Sequence, residues 1–192
     1  MKAPVHCLGI SHPGAMGNYE RARGAVPDVP SVLVYCSNMK KDPFDFIGDF
    51  VYDEPRRDEK FSTVSTIVCN CVERFRTAGS TPTRLVIYRN GTSEGQFGMS
   101  LQYEIPLIHH ALNQMNAADC KLTVLVSQKA HNIRLFMDPM PTRSEITLPN
   151  GVHLAIQGTA RTPRYSVLLD ENKFSMDVIE GFTYALSLPI RL

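Results

Sequence analysis

Five cysteines are the first residues of this chain whose chemistry could hold a metal. They lie mostly within apolar runs, and their positions show none of the paired spacings of a zinc site. Cys69 and Cys71 are close in sequence, but they fall in a helix-like stretch where residues two apart point to different faces. We therefore expect reduced, buried cysteines, with no metal and no cofactor. The five are Cys7, Cys36, Cys69, Cys71 and Cys120.

Carboxylates and histidines form two further local groups. Residues 53–60 are a charged turn that contains Glu54 and Glu59, while His109 and His110 are adjacent in a helix-like segment. Carboxylate oxygens are the ligands that Mg²⁺ takes in phosphoryl-transfer sites. An exposed acidic turn is more often simply solvated, and the histidine pair is expected on the surface of an amphipathic helix. Taken alone, these residues predict no catalytic site.

The bulk composition predicts one globular domain. The chain has 192 residues, of which 43% are hydrophobic and 20% charged, as is usual for a protein with a packed core. Its formal net charge is +1, so any site for a polyanion must be local. No apolar run reaches the length of a membrane span, and the N-terminus lacks the apolar core of a secretion signal. We expect an intracellular protein, cytoplasmic or nuclear, with no membrane partner.

Alternating apolar runs and helical periodicities predict an α/β fold. Pro106 is expected to kink the second helix or to mark its true start. Residues 18–30 show little periodicity and are predicted to form a loop. Strands interleaved with helices indicate a mixed sheet flanked by helices on both faces. The predicted strands are 5–10, 31–36, 45–52, 84–88, 121–127, 152–156 and 165–169, and the predicted helices are 61–78, 98–118 and 176–186.

Three sequence blocks resemble those of the Argonaute family. Residues 88–97, YRNGTSEGQF, look like the signature YRDGVSEGQF. Residues 126–136, VSQKAHNIRLF, are similar to VVQKRHHTRLF, and residues 156–161, IQGTAR, to IQGTSR. Residues 8–13, LGISHP, resemble the opening strand LGxDVxHP. The resemblance implies a ribonuclease H-like PIWI fold over residues 1–192, as a partial PIWI domain without N-terminal, PAZ and MID domains.

The same resemblance implies that the chain does not cut RNA. Active members use an aspartate on the opening strand, a glutamate from the third-strand region, the aspartate of YRDG and a histidine near the C-terminus. Here the opening strand lacks its aspartate, and Asn90 replaces the second. A neutral amide supplies an oxygen but no charge for two cations. Glu59, or alternatively Glu54, could occupy the glutamate region, and Asn90 and Glu59 are interpreted as degenerate positions.

Four residues match family positions that contact guide-strand phosphates: Lys129, Arg134, Gln157 and Arg161. Cationic and multi-donor side chains suit phosphate recognition. The resemblance implies a noncatalytic Argonaute-like module that binds small guide RNA or a guide–target duplex in RNA-mediated gene silencing, with silencing-complex proteins as further partners. Two alternatives stay open: a metal-dependent ribonuclease H-like endonuclease, and a nonfunctional truncated remnant.

Two departures from the family bear on folding. Residues 149–157 run almost directly from one predicted element into the next, where the family has a strand and its loop. The sequence also ends before the family's last helix. We therefore expect an incomplete fold that exposes apolar surface and strand edges.

Overall fold

The computed structural model describes residues 4–14, 17–25, 29–38, 45–54, 63–79, 81–132 and 163–187. The strands in these ranges are β1 (Val5–Ser11), β2 (Ser31–Ser37), β3 (Ile47–Asp53), β4 (Arg84–Asn90), β5 (Lys121–Gln128) and β6 (Arg164–Asp170). The helices are α1 (Asn18–Ala22), α2 (Val64–Thr77), α3 (Phe97–Met99), α4 (Ile105–Gln114) and α5 (Met176–Ser187). A 3₁₀ turn (Glu94–Gln96) precedes α3, and a π-helical turn (Ser100–Glu104) joins α3 to α4.

The six strands form one mixed sheet in the order β3-β2-β1-β4-β5-β6. β1 pairs with β2, and β2 with β3, in antiparallel orientation. β1, β4 and β5 run parallel to one another, and β6 returns antiparallel to β5. The carboxyl ends of β1, β4 and β5 therefore meet at one edge of the sheet, together with the carboxyl end of β3.

Helices cover both faces of this sheet, as predicted. On the first face, α2 and α4 bury a core that includes Leu33, Ile67, Leu85 and Leu112, each at most 2% exposed. On the second face, Ile179 of α5 packs with a smaller cluster of Val5, Val86, Tyr88 and Leu125. Burial of this apolar area is the main favourable term in folding.

The second face is covered only over its middle strands in the part of the chain that the structure describes. Val34, Phe50 and Tyr52 of β2 and β3 are each more than half exposed on this face. The rings of Phe50 and Tyr52 contact each other edge to face, with centroids 5.4 Å apart. Contiguous apolar surface of this kind is unusual on an isolated soluble domain.

Two sequence predictions need correction. The predicted loop at 18–30 contains the short helix α1, and the predicted helix at 98–118 is interrupted by the π-helical turn. Pro106 lies in the first turn of α4. Proline has no N–H to donate to the preceding turn. The chain therefore forms the wider π-helical turn before Pro106, and the regular helix α4 begins with Pro106 in its first turn. The predicted strand at 152–156 lies outside the described residues. The described helices include none with the length and apolar character needed to cross a membrane.

The buried histidine of β1 gives the fold a predictable response to pH. His6 is 2% exposed, and burial lowers its pKa from 6.5 to about 4. Between these values the unfolded chain binds a proton that the folded chain does not, so stability is present above pH 6.5 and is lost as pH falls towards 4. Through this residue we expect the free energy of unfolding to decrease by roughly 3 kcal/mol over that range.

Urea denaturation at a series of pH values measures this effect. Because carboxylates also titrate in acid, the informative quantity is the difference between the wild-type chain and His6→Met, which keeps a bulky side chain but cannot titrate. The variant should show a flatter dependence between pH 6.5 and 4. Equal slopes for the two proteins would contradict the assignment.

Candidate functional site

The carboxyl ends of the parallel strands bring two of the predicted site residues together. Asn90 ends β4 and lies beside Ser127 of β5 in the parallel register. Lys129 follows two residues later, at the end of β5, and both Asn90 and Lys129 are exposed. On the other side, Leu8 pairs with Arg89, so the next residue of β1, Gly9, lies beside Asn90. We call the surface formed by Gly9, Asn90 and residues 127–129 the parallel-strand edge.

A buried arginine holds the end of β4. Arg89 is 1% exposed, and its Nε and Nη2 atoms donate to Oε2 and Oε1 of Glu104 at 3.2 Å each. Its Nη1 atom donates to the backbone carbonyl of Asn90. Glu104 lies in the π-helical turn and is 4% exposed. The bidentate pair therefore ties the helical segment after β4 to the backbone of Asn90.

Sequence reasoning missed this pair. The signal was an arginine at the end of the buried-type run in β4, followed by a glutamate among the apolar positions of the next helical segment. A buried arginine requires a carboxylate partner. Glu104 could therefore have been predicted as that partner from the sequence.

The loop after Asn90 is held by the neighbouring strands. Gly91 has φ +82°, a left-handed conformation that favours glycine, and it turns the chain away from β4. Gln128 Nε2 donates to the carbonyl of Thr92 at 2.9 Å. Arg164 of β6 forms an ion pair with Glu94 in the 3₁₀ turn. The loop is thus connected to both β5 and β6, and this fixes the surroundings of the parallel-strand edge.

The other predicted site residues fall elsewhere. Arg134, Gln157, Arg161 and Glu59 lie outside the described residues, so their roles stay predictions. Glu54, the alternative to Glu59, directly follows β3 at the same edge of the sheet. β3 is three strands from β4 in the sheet order, and at about 4.8 Å per strand the two are roughly 14 Å apart. Glu54 is therefore not a neighbour of Asn90.

Two of the described histidines take part in local pairs. His12 Nδ1 lies 3.0 Å from Ser31 Oγ at the end of β1. His109 Nε2 lies 3.2 Å from Glu171 Oε1, and both side chains are more than one third exposed. His109 and His110 lie on the outer surface of α4, as predicted. Within the described ranges, no three side chains of His, Cys, Asp or Glu converge in a way that could hold a metal ion.

The cysteines are free, as predicted, but the prediction that all are buried is wrong. Cys71 and Cys120 are buried, whereas Cys7, Cys36 and Cys69 are half-buried. Strand and helix positions at the margin of a core leave one side of a side chain open, and an apolar run alone does not reveal this. Burial raises the pKa of the Cys71 thiol to about 12.

Comparison with known proteins places this geometry in a family. The sequence profile of the Piwi domain matches residues 8–189. The chain belongs to the Piwi domain family. Argonaute protein wago-1 of Caenorhabditis elegans is 31% identical to this Piwi domain over 179 residues, which cover 82% of the chain and 19% of that relative. This Piwi domain spans about a fifth of the length of the curated relatives that it matches.

Solved structures confirm the predicted ribonuclease H-like PIWI fold. The C-terminal lobe of a budding yeast Argonaute superposes with a TM-score of 0.71 and 16% identity, over 93% of this chain and 40% of that chain. Kluyveromyces polysporus Argonaute with a guide RNA gives a TM-score of 0.69 and 16% identity, over 94% of this chain and 24% of that chain. At such identities the likeness establishes the fold of this Piwi domain.

The Arg89–Glu104 pair yields a stability prediction. Glu104→Gln leaves a buried guanidinium without its counter-charge, so we expect the free energy of unfolding to fall by about 3–5 kcal/mol. The matched control is Asp49→Asn, which breaks the ion pair of Asp49 with Arg74 at 2.8 Å, where the two side chains are 37% and 42% exposed. Water screens this exposed pair, so its loss should change stability much less. Urea denaturation measures both, and equal costs would refute the role of the buried pair.

Proposed function

We propose that this Piwi domain is a noncatalytic module that binds small guide RNA, or a guide–target duplex, in RNA-mediated gene silencing. One observation carries the proposal. The exposed cation Lys129 and the exposed neutral amide Asn90 lie at the ends of adjacent parallel strands on one edge of the sheet. The lysine suits a phosphate, whereas the amide cannot supply the negative charge that a pair of metal ions needs.

The support for RNA binding comes from the position of one exposed lysine. With a formal net charge of +1, the chain attracts a polyanion only where cations are concentrated. Lys129 directly follows β5, and its neighbour Gln128 is fixed by the hydrogen bond to Thr92. A cation on an anchored strand end loses less conformational freedom on binding than one on a free loop. The structure of Kluyveromyces polysporus Argonaute contains a guide RNA, and we propose that this chain binds RNA through the corresponding domain.

The support for inactivity is the chemistry of the parallel-strand edge. Two metal ions held against a phosphate require carboxylates on adjoining strands. β4 ends in an amide, and the neighbouring position on β1 is Gly9, which has no side chain. Glu54 lies three strands away. The residues described at this edge therefore do not fit the metal pair of an active nuclease.

Further partners are proposed among silencing-complex proteins. Their support is the exposed apolar surface on the second face of the sheet and on α5, where Met176 and Tyr184 are 59% and 57% exposed. Protein-binding surfaces are often contiguous apolar patches of this kind.

RNA binding is tested by fluorescence anisotropy with labelled single-stranded RNAs of unrelated sequence over a range of salt concentrations. We expect weak binding that depends little on sequence and falls as salt rises, because phosphate contacts release counterions. Lys129→Ala should lower the affinity about equally for every RNA and reduce the salt slope by about one unit.

Lys121→Ala is the matched control for that experiment. Lys121 is also exposed and lies on β5, but at the start of the strand and therefore at the opposite edge of the sheet. It should bind RNA as the wild-type chain does, with circular dichroism showing that both variants are folded. If both lysines lower affinity equally, or if the folded wild-type chain binds no better than Lys129→Ala, the proposed RNA-binding edge is wrong.

Inactivity is tested with guide, complementary target and Mg²⁺ or Mn²⁺. We expect no cleavage by the wild-type chain, and none by Asn90→Asp, because that change returns one carboxylate of several. Gly9→Asp combined with Asn90→Asp places one carboxylate on each of two adjacent strands. The backbones of such strands lie about 4.8 Å apart. A Cβ at Gly9 meets no atom within 4 Å, so there is open space where the aspartate side chain begins.

The double variant provides a second measurement. Mn²⁺ should raise its unfolding temperature, since a ligand that binds only the folded state stabilises it, and should leave that of the wild-type chain unchanged. Cleavage at a defined guide position by the wild-type chain, or an equal Mn²⁺ shift for both proteins, would overturn the noncatalytic proposal.

A further inference from the structure

Two cysteines face each other across the antiparallel pair of β1 and β2. Cys7 and Cys36 are direct partners in the strand register, so their side chains leave the sheet on the same face. Both are half-buried rather than enclosed in the core. The two thiols are close enough that each shifts the pKa of the other. This arrangement differs from that of the other three cysteines, which lie on α2 or just before β5.

The two cysteines of the pair have different neighbours. Cys36 is opposite Gly48 on its other side, in β3. A Cβ at Gly48 would meet only the carbonyl oxygen of Tyr35, at 3.9 Å, and the glycine itself has no side chain to place over Cys36. Cys7 instead packs against the smaller apolar cluster beneath α5. Cys36 therefore has a glycine as its neighbour on β3, whereas Cys7 faces apolar side chains.

The interaction also makes the two thiols differ in acidity. The neighbouring Cys7 thiol lowers the pKa of Cys36, and the same interaction raises the pKa of Cys7. Cys36 is therefore the thiol of the pair that more readily becomes the nucleophilic thiolate. Burial raises the pKa of Cys71 to about 12 and that of Cys120 to about 11, so these two thiols stay protonated.

We propose that Cys7 and Cys36 are a redox-active dithiol, which a peroxide converts reversibly into a cross-strand disulfide. The Cys36 thiolate attacks one oxygen of hydrogen peroxide, the O–O bond breaks, and the products are a sulfenic acid on Cys36 and, after protonation, water. Cys7 then loses its proton and attacks the Cys36 sulfur. The S–O bond breaks, the S–S bond forms, and a second water leaves. Two thiols and one peroxide thus give one disulfide and two waters.

The strand register places Cys7 and Cys36 opposite each other, as a cross-strand disulfide requires. Residues directly opposite in an antiparallel pair have Cα atoms about 4.5–5.5 Å apart. This lies within the range of roughly 4.4–6.8 Å that disulfides span. The second step is intramolecular, so it should proceed faster than attack by a thiol of another molecule.

Peroxide treatment of the reduced, folded full chain tests the proposal. Of the five cysteine thiols, two should be lost, which leaves three that react with Ellman's reagent after denaturation. Tryptic digestion without reduction should give one linked species that joins residues 3–21 to residues 24–40. Dithiothreitol should restore all five thiols. In the urea-unfolded chain, where the register is lost, this linkage should no longer be favoured over other pairings.

Three variants assign the roles of the two thiols. Cys7→Ser should stop at the sulfenic acid on Cys36, which dimedone traps, whereas Cys36→Ser should leave Cys7 largely unreacted. The control Cys69→Ser removes another half-buried thiol and should form the disulfide as the wild-type chain does. The proposal fails if the wild-type chain is oxidised without the linked peptide, if another cysteine pair is linked instead, or if folded and unfolded chains give the same mixture. The peptide map of the wild-type chain decides by itself whether the Cys7–Cys36 disulfide forms. The test therefore does not depend on whether each variant folds.

Discussion

A buried guanidinium sets the geometry on which the parallel-strand edge depends. An arginine that is 1% exposed needs a charged partner of the correct shape, and Glu104 supplies one through two hydrogen bonds of 3.2 Å. The third contact, from Nη1 to the carbonyl of Asn90, uses the same rigid group to fix the end of β4. Replacing such a pair with apolar residues often costs a fold little, so its importance here lies in orientation. It determines how the helical segment leaves the sheet and where the loop after β4 begins.

Strand alternation then separates structure from function along β4. The side chain of Arg89 points to the first face and is buried there. The side chain of Asn90 points to the second face and is exposed. The parallel register continues this arrangement into the neighbouring strands, with Gly9 on one side and Ser127 on the other. A single-residue shift would move Asn90 into the core. The loop after Asn90 is held by Gln128 and by the Arg164–Glu94 pair. These contacts help to fix the register at the carboxyl end of β4.

Much of the fold could be predicted from the sequence, because β2, β4 and β5 are apolar runs and α2 has clear helical spacing. The strand order could not be predicted from periodicity, since pairing partners are set by contacts between distant residues, and it is known from the structure. The π-helical turn before Pro106 was missed because periodicity does not resolve a local change of helix type. For the site, the sequence blocks singled out Asn90 and Lys129 separately, and only the register of β4 and β5 shows that they lie at one edge of the sheet. The separation of Glu54 from Asn90 required the strand order, and the Cys7–Cys36 pairing required the register.

Loss of cleavage and retention of RNA binding are physically compatible on the proposed function. In an active nuclease, carboxylates at the strand ends attract metal ions, and without those ions they repel a phosphate backbone. The repulsion between unit charges roughly 5–10 Å apart is substantial at a protein surface, where screening is incomplete. Asn90 and Gly9 bring no negative charge to this edge, so Lys129 can attract a phosphate without a divalent cation to neutralise its neighbours. On the proposed function, an edge without these carboxylates therefore has no reason to depend on metal for RNA binding.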